Sequence, residues 1–224
     1  MRVAALYDIH GNLPALEAVL AEVGEDVDRI VVGGDFIGGP FSAATLERLR
    51  GLGERAVWLR GNAERELVEQ PPAREGGPPP GELERLRSQL TDEQVEFAYG
   101  LPASVRLDVD GLGSVLFCHA TPWNDLDIVT PLTSDLRIER ILEGVDADLV
   151  VAGHTHMQDR RPRWINPGSV GMPYEDVDGA YWALLGPTVD LQRTTYDRAA
   201  LGGHEYPQAT RQEAAEYFES LVDE

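Results

Sequence analysis

Three times in its amino-terminal third the chain repeats one pattern, a short apolar strand, a polar loop rich in glycine and an amphipathic helix, and this repeat limits the fold more than any other feature. Residues 2–7 (Arg-Val-Ala-Ala-Leu-Tyr) read as a strand that ends at Asp8-Ile9-His10-Gly11-Asn12. Asn12 is expected to cap a helix with Pro14 in its first turn, and Leu16, Val19, Leu20 and Val23 recur at the spacing of one buried face. The second copy runs through a strand at 29–33, the loop Gly34-Asp35-Phe36-Ile37-Gly38-Gly39-Pro40 and a helix capped by Ser42, with Leu46 and Leu49 inward. The third has a strand at 55–59, the loop Arg60-Gly61-Asn62 and a short helix from Ala63. Alternation of this kind predicts crossover connections and a layered α/β fold, whose loops at the carboxyl ends of the strands converge on one site.

Beyond this repeat the pattern changes without a second obvious core. Residues 70–81 are dense in proline and glycine and predict an irregular excursion, and helical stretches follow at 82–90 and 92–99. We read 70–100 as a small cap or insertion within a single domain spanning 1–224, a length suited to one sizeable core. A hairpin is expected next, from Ser104 to Val109, through Asp110-Gly111, and from Leu112 to Cys118, ending at His119. Ser134 should cap a helix through Leu142, and the apolar run Asp148 to Ala152 leads into Gly153-His154-Thr155-His156. Further strands are expected at 163–166, 180–185 and 188–195, with a helix over 208–222.

Charge narrows the partners. Thirty-nine acidic residues stand against 19 basic ones, all of them arginine, for a formal net charge of -20. Such a surface repels an extended phosphate backbone, so nucleic acid is not an expected partner. No signal-peptide pattern opens the sequence and no run of about 18 apolar residues occurs, so the expectation is a cytoplasmic protein without a membrane partner. Cys118 is the single cysteine, which removes an internal disulfide and leaves zinc fingers and redox pairs without their ligands.

The chemistry lies in the loops. Asp8, His10, Asp35, Asn62, His119, His154 and His156 each lie at or just after an apolar strand, and four of the five histidines are among them. Carboxylate oxygen with imidazole nitrogen suits manganese, iron, zinc or nickel, whereas an all-oxygen set would suit magnesium or calcium. Seven ligands are too many for one ion. Two divalent ions roughly 3.5–4 Å apart, bridged by one carboxylate, would use them and could clamp both the attacking and leaving oxygens of an in-line displacement. Any one of these motifs alone reads as well structurally, a histidine satisfied in the core or an aspartate at a helix entry; the set of five does not.

In this set the sequence resembles the calcineurin-like metallophosphoesterase superfamily, whose signature runs Asp-X-His, Gly-Asp, Gly-Asn, His and Gly-His-X-His, and the likeness covers nearly the whole chain. Asp8-Ile9-His10-Gly11-Asn12 and Asn166-Pro167-Gly168-Ser169-Val170-Gly171 are closer to the compact bacterial and archaeal phosphodiesterase-like members. The resemblance implies a four-layer α-β-β-α sandwich, two mixed sheets between helices. It also implies that Asp8, His10 and His156 hold one metal, Asn62, His119 and His154 the other, and that Asp35 bridges them. Hydrolysis of a small phosphorylated substrate by a metal-bridging hydroxide would follow, with Asp35, Asn62 and His119 acting through the metals and no covalent phosphoenzyme. A protein-binding scaffold on the same fold, similar to the retromer subunit that has lost catalytic competence, is the alternative.

Several residues outside the signature are open to two readings. Arg60 could hold a phosphate oxygen or pair with a surface carboxylate, Trp123 and Asn124 could contact the leaving group or pack their loop, and His204 could donate a proton or simply lie at the surface. Cys118 reads as a small core residue. One departure from the family bears on chemistry: the asparagine motif is often followed by a histidine that protonates the leaving alkoxide, and here Ala63 follows Asn62. Without that acid, leaving groups that need less help are favoured, such as aryl esters and phosphoanhydrides. Replacing Ala63 with histidine is therefore expected to raise turnover of alkyl over aryl phosphates. An unchanged ratio of the two rates would refute that reading.

Overall fold

The computed structural model describes residues 1–222 and divides its strands between two mixed sheets. β1 (Val3–Leu6), β2 (Arg29–Val32) and β3 (Ala56–Trp58) run parallel, as three successive crossover units require. β4 (Ser104–Val109) and β5 (Gly113–Cys118) form the expected hairpin, and β6 (Leu149–Val151), β7 (Gln158–Arg161) and β8 (Trp164–Pro167) complete a second sheet in the order β4-β5-β6-β8-β7. The chain then returns to the first sheet through β9 (Ala180–Leu185) and β10 (Val189–Thr194), giving the order β10-β9-β1-β2-β3.

The period of two along each strand builds the layers. Val3, Ala5 and Tyr7 point between the sheets, where they meet Val115, Phe117, Val151 and Ile165. Ala4 and Leu6 point the other way, onto Leu16 and Val19 of α1 (Leu13–Glu22) and Leu46 and Leu49 of α2 (Ser42–Arg50). On the far side of the second sheet Val150, Ala152 and Trp164 meet Ile138 and Leu142, at and just after α6 (Asp135–Ile141). The result is a helix-sheet-sheet-helix sandwich in which β1 and β6 are buried along their whole length.

After β3 comes α3 (Asn62–Glu69), one residue earlier than expected, and then α4 (Glu82–Arg87) and α5 (Asp92–Tyr99). Leu86, Leu90, Val95 and Ala98 from the 70–100 region enter the same core as Leu6 and Ile30. Asn12 and Ser134 cap α1 and α6 by accepting from the backbone N–H groups of Ala15 and Arg137. Ser42 does otherwise. Phe41 holds the capping position of α2, while the Ser42 hydroxyl donates to the Gly39 carbonyl at 2.9 Å and accepts from the Gly38 N–H at 3.1 Å, bracing the loop that precedes the helix. β7 was not expected either, because Gln-Asp-Arg-Arg at a sheet edge carries no apolar alternation. The carboxyl-terminal helix is α7 (Arg211–Ser220). No helix of the described residues is long and apolar enough to cross a membrane.

Candidate metal centre

The loops after β1, β2, β3, β5 and β6 bring all seven expected ligands together. Asp8, His10 and His156 form one triad and Asp35, His119 and His154 another, the donor atoms within each lying within 4.8 Å of one another. In the first, His10 Nε2 lies 3.1 Å from His156 Nε2, which is 3.5 Å from Asp8 Oδ1. In the second, His119 Nε2 lies 3.5 Å from Asp35 Oδ1 and 3.1 Å from Asn62 Oδ1, so Asn62 joins this side. Asp35 spans the two, its other oxygen standing 3.9 Å from His10 Nε2.

These positions fit a pair of divalent ions. Two ligand atoms bound at about 2.0–2.1 Å to one tetrahedral ion lie roughly 3.3 Å apart, close to the 3.1 Å between His10 and His156 and the 3.5 Å of the His156–Asp8 and His119–Asp35 pairs. Asp8 Oδ1 is buried without a hydrogen-bond partner, a costly arrangement for a carboxylate that a cation would relieve. The imidazoles are oriented as ligands: His119 Nδ1 meets the Gly33 carbonyl at 3.0 Å and His156 Nδ1 meets that of Met172 at 2.8 Å, which turns each Nε2 atom toward the carboxylates.

Backbone conformation shows what this convergence costs. Asp8 (φ 53°), His10 (46°), Asp35 (50°), His154 (69°) and His156 (61°) all occupy the left-handed region, and Gln70 is the one other described residue besides glycine to do so. Each such residue costs on the order of 1–3 kcal/mol and persists where its surroundings over-determine it. Here the surroundings do so through backbone hydrogen bonds. The Ser169 hydroxyl donates to the Asp8 carbonyl at 2.7 Å and the Tyr206 phenol to the His10 carbonyl at 2.9 Å. Asn12 Nδ2 donates to the Gly171 carbonyl and Asn166 Nδ2 to that of Gly153, tying segment 166–171 to both first-triad loops. At Gly171 the approach is so close that a Cβ would lie 1.8 Å from the Ile9 carbonyl oxygen.

The remaining candidate residues have partners outside the two triads. The Arg60 guanidinium lies over the Tyr99 ring, 4.9 Å from its centroid, and donates to the Tyr99 carbonyl at the end of α5. Trp123 is 62% exposed and its indole donates to the Ile141 carbonyl at 2.7 Å, anchoring its loop beside α6. Asn124 Oδ1 accepts from the N–H groups of Leu126 and Asp127, a local turn. His204 lies edge-on to Tyr206, with ring centroids 4.6 Å apart, and Cys118 is buried in the core beside α6. Conversely, Glu64 and Tyr206 bear on the ligand loops although the sequence patterns do not single them out, and Ser169 does so from within the Asn166–Gly171 motif, which gave it no role. An acidic residue in the first turn of a helix is ordinary, and so is a hydroxyl near a glycine turn.

Electrostatics within the cluster give the ion-free chain a definite pH response. Burial holds His10 and His154 down to about 4, reinforced by His156 and His119 respectively. Burial also opposes charge on His119, but Asp35 and then Asp8 outweigh it and raise that imidazole to about 10. Asp8 and Asp35, which burial alone would raise, are held below the usual carboxylate range by the imidazoles of His156 and His119. An unfolded histidine titrates near 6.5. As pH falls from about 6.5 to about 4 the unfolded chain takes up protons that His10 and His154 refuse, and stability falls. The stabilisation from protonated His119 is full below about 6.5 and is lost as pH rises toward about 10. Thermal unfolding of chelator-treated protein should therefore peak near neutral pH, and saturating divalent ions should flatten the alkaline side. A midpoint independent of pH from about 4 to about 9 would contradict this electrostatic picture.

Comparison with known proteins agrees with the geometry. The family described as the calcineurin-like phosphoesterase superfamily domain matches residues 1–185. The fold is similar to the crystal structure of a metallophosphoesterase from Sphaerobacter thermophilus, at 25% identity and TM-score 0.70 over 99% of both chains. It is also similar to a hypothetical protein from Pyrococcus horikoshii OT3, at 21% identity and TM-score 0.77 over 90% of both chains. An uncharacterised protein of Methanocaldococcus jannaschii is 25% identical over 227 residues, covering 87% of this chain and 88% of its own. With a match over most of its length and two His/Asp triads consistent with a dinuclear metal site, the chain belongs to the calcineurin-like phosphoesterase superfamily.

Proposed function

We propose that this protein hydrolyses a small phosphoester, as a phosphodiesterase or phosphatase with nucleotide anhydrides within its range, at a centre of two divalent transition-metal ions drawn from manganese, iron, zinc and nickel. The observation that carries this reading is Asp35, whose two carboxylate oxygens face one triad each, toward His119 at 3.5 Å and His10 at 3.9 Å. When bound, the ions would lower the pKa of water and neutralise charge on the phosphoryl oxygens. The chain's own part is preorganisation: Asp8, His10 and His156 hold one side, Asn62, His119 and His154 the other, and Gly33 and Met172 fix imidazole tautomers through their carbonyls.

Leaving-group chemistry follows from the same loops. At position 63 the side chain is a methyl group, and the Ala63 N–H donates to Asp35 Oδ1 at 2.8 Å, which holds the carboxylate in place but supplies no acid to a departing alkoxide. This supports aryl esters and phosphoanhydrides as the better substrates. A groove of about 660 Å³ lies along α6 and the β7–β8 turn and contains none of the triad residues, so donor geometry rather than concavity locates the chemistry. Net charge of -20 supports a small substrate over extended nucleic acid. The complete ligand set favours catalysis over the scaffold reading. Asp35→Asn should weaken metal binding and lower turnover of an aryl phosphodiester by about a hundred- to a thousandfold, the scale on which loss of a major charge-stabilising group is felt. Wild-type activity in metal-free Asp35→Asn protein would eliminate the proposal.

A further inference from the structure

On the reading of the centre proposed above, we infer that Glu64 is a positioning residue whose carboxylate locks the Asp35 and Asn62 loops into one frame and thereby sets metal affinity at the Asp35, Asn62, His119 and His154 side. Glu64 is fully buried on the first turn of α3. One of its oxygens, Oε2, accepts from the N–H groups of Asp35 and Gly61, each at 2.9 Å. The other, Oε1, accepts from Phe36 at 3.0 Å and Ile37 at 3.3 Å.

A carboxylate offers about four acceptor positions, and backbone donors from two ligand loops occupy them here. Glu64 is thus committed to the frame rather than to a metal or a substrate. The consequence reaches the ligands directly. Fastening the Asp35 and Gly61 backbones together places the Ala63 N–H on Asp35 Oδ1 and brings Asn62 Oδ1 to 3.1 Å from His119 Nε2. The first triad relies on different braces, Ser169 at the Asp8 carbonyl, Tyr206 at the His10 carbonyl and Met172 at His156 Nδ1. Residues that orient ligands from behind typically govern metal affinity by about 10–100-fold.

The side-chain chemistry explains why an acid is required. In Glu64→Gln the amide nitrogen would meet two backbone donors in place of an acceptor, so one pair of buried N–H groups loses its partner. Glu64→Asp keeps the charge but withdraws it by one methylene. The test is manganese titration of chelator-stripped wild type, Glu64→Gln and Glu64→Asp, resolving the two binding steps by electron paramagnetic resonance, together with amide hydrogen exchange at residues 35–37 and 61. The expected result is a loss of about 10–100-fold in one binding step with the other retained, faster exchange at those amides, and a smaller loss for Asp than for Gln. Should Glu64→Gln fail to fold, Glu64→Asp is read by the same criteria. Wild-type affinities in both variants, or equal losses in both steps accompanied only by a lower melting temperature, would overturn the inference while leaving the phosphoesterase reading intact. A wild-type chain that takes up no manganese would sink both.

Discussion

Holding two acids and four imidazoles in one small volume is the constraint on which the rest of this structure depends. Parallel strands supply the direction, since β1, β2 and β3 in one sheet and β5 and β6 in the other end near the same point. Strand direction alone does not bring the donor atoms within 4.8 Å of each other. The last step is made by left-handed backbone at Asp8, His10, Asp35, His154 and His156, which turns each side chain back toward the centre. Strain of that kind concentrated on one set of side chains is the mark of a site maintained for its chemistry. Two features offset it: glycines such as Gly171 that let loops touch, and buried polar side chains that hold the strained carbonyls.

Helix α3 distributes this constraint. It begins at Asn62, and Glu64, Arg65 and Glu66 tie three other segments to it. Glu64 takes the Asp35 loop. Arg65 makes a two-pronged contact with Asp125 in the loop after His119, at 2.7 and 2.9 Å. Glu66, almost fully buried, is paired at 2.7 Å with Arg74 from the proline-rich stretch. Eight residues therefore connect Asn62, two loops that bear triad residues and the 70–81 excursion, and a disturbance of α3 would be felt at the candidate metal centre.

Much of this was legible in the sequence because two kinds of signal are local. Apolar alternation located the buried strands, and oxygen and nitrogen donors at their ends marked the residues of the two triads; Asn12 and Ser134 announced their helices by capping chemistry. What stayed hidden depends on partners distant in the chain. β7 is a polar edge strand, visible only once β8 is beside it. The hydroxyl of Ser42 braces a loop although it stands where a cap was expected. An arginine at a strand end such as Arg60 carries no mark in the sequence that announces its stack on Tyr99. Glu64 was hidden for a similar reason, since its four donors belong to loops that only the fold brings together.

The centre itself is most directly tested by elemental analysis of the purified protein, joined to hydrolysis of aryl phosphomonoesters and aryl phosphodiesters before and after chelation and manganese restoration. With Asp35 in one triad and its other oxygen facing His10 of the other, the proposed function predicts about two divalent ions per chain and turnover that disappears with the chelator and returns with manganese. A chain that takes up no divalent ion even when supplied with excess would contradict the dinuclear centre and leave the protein-binding scaffold as the better reading.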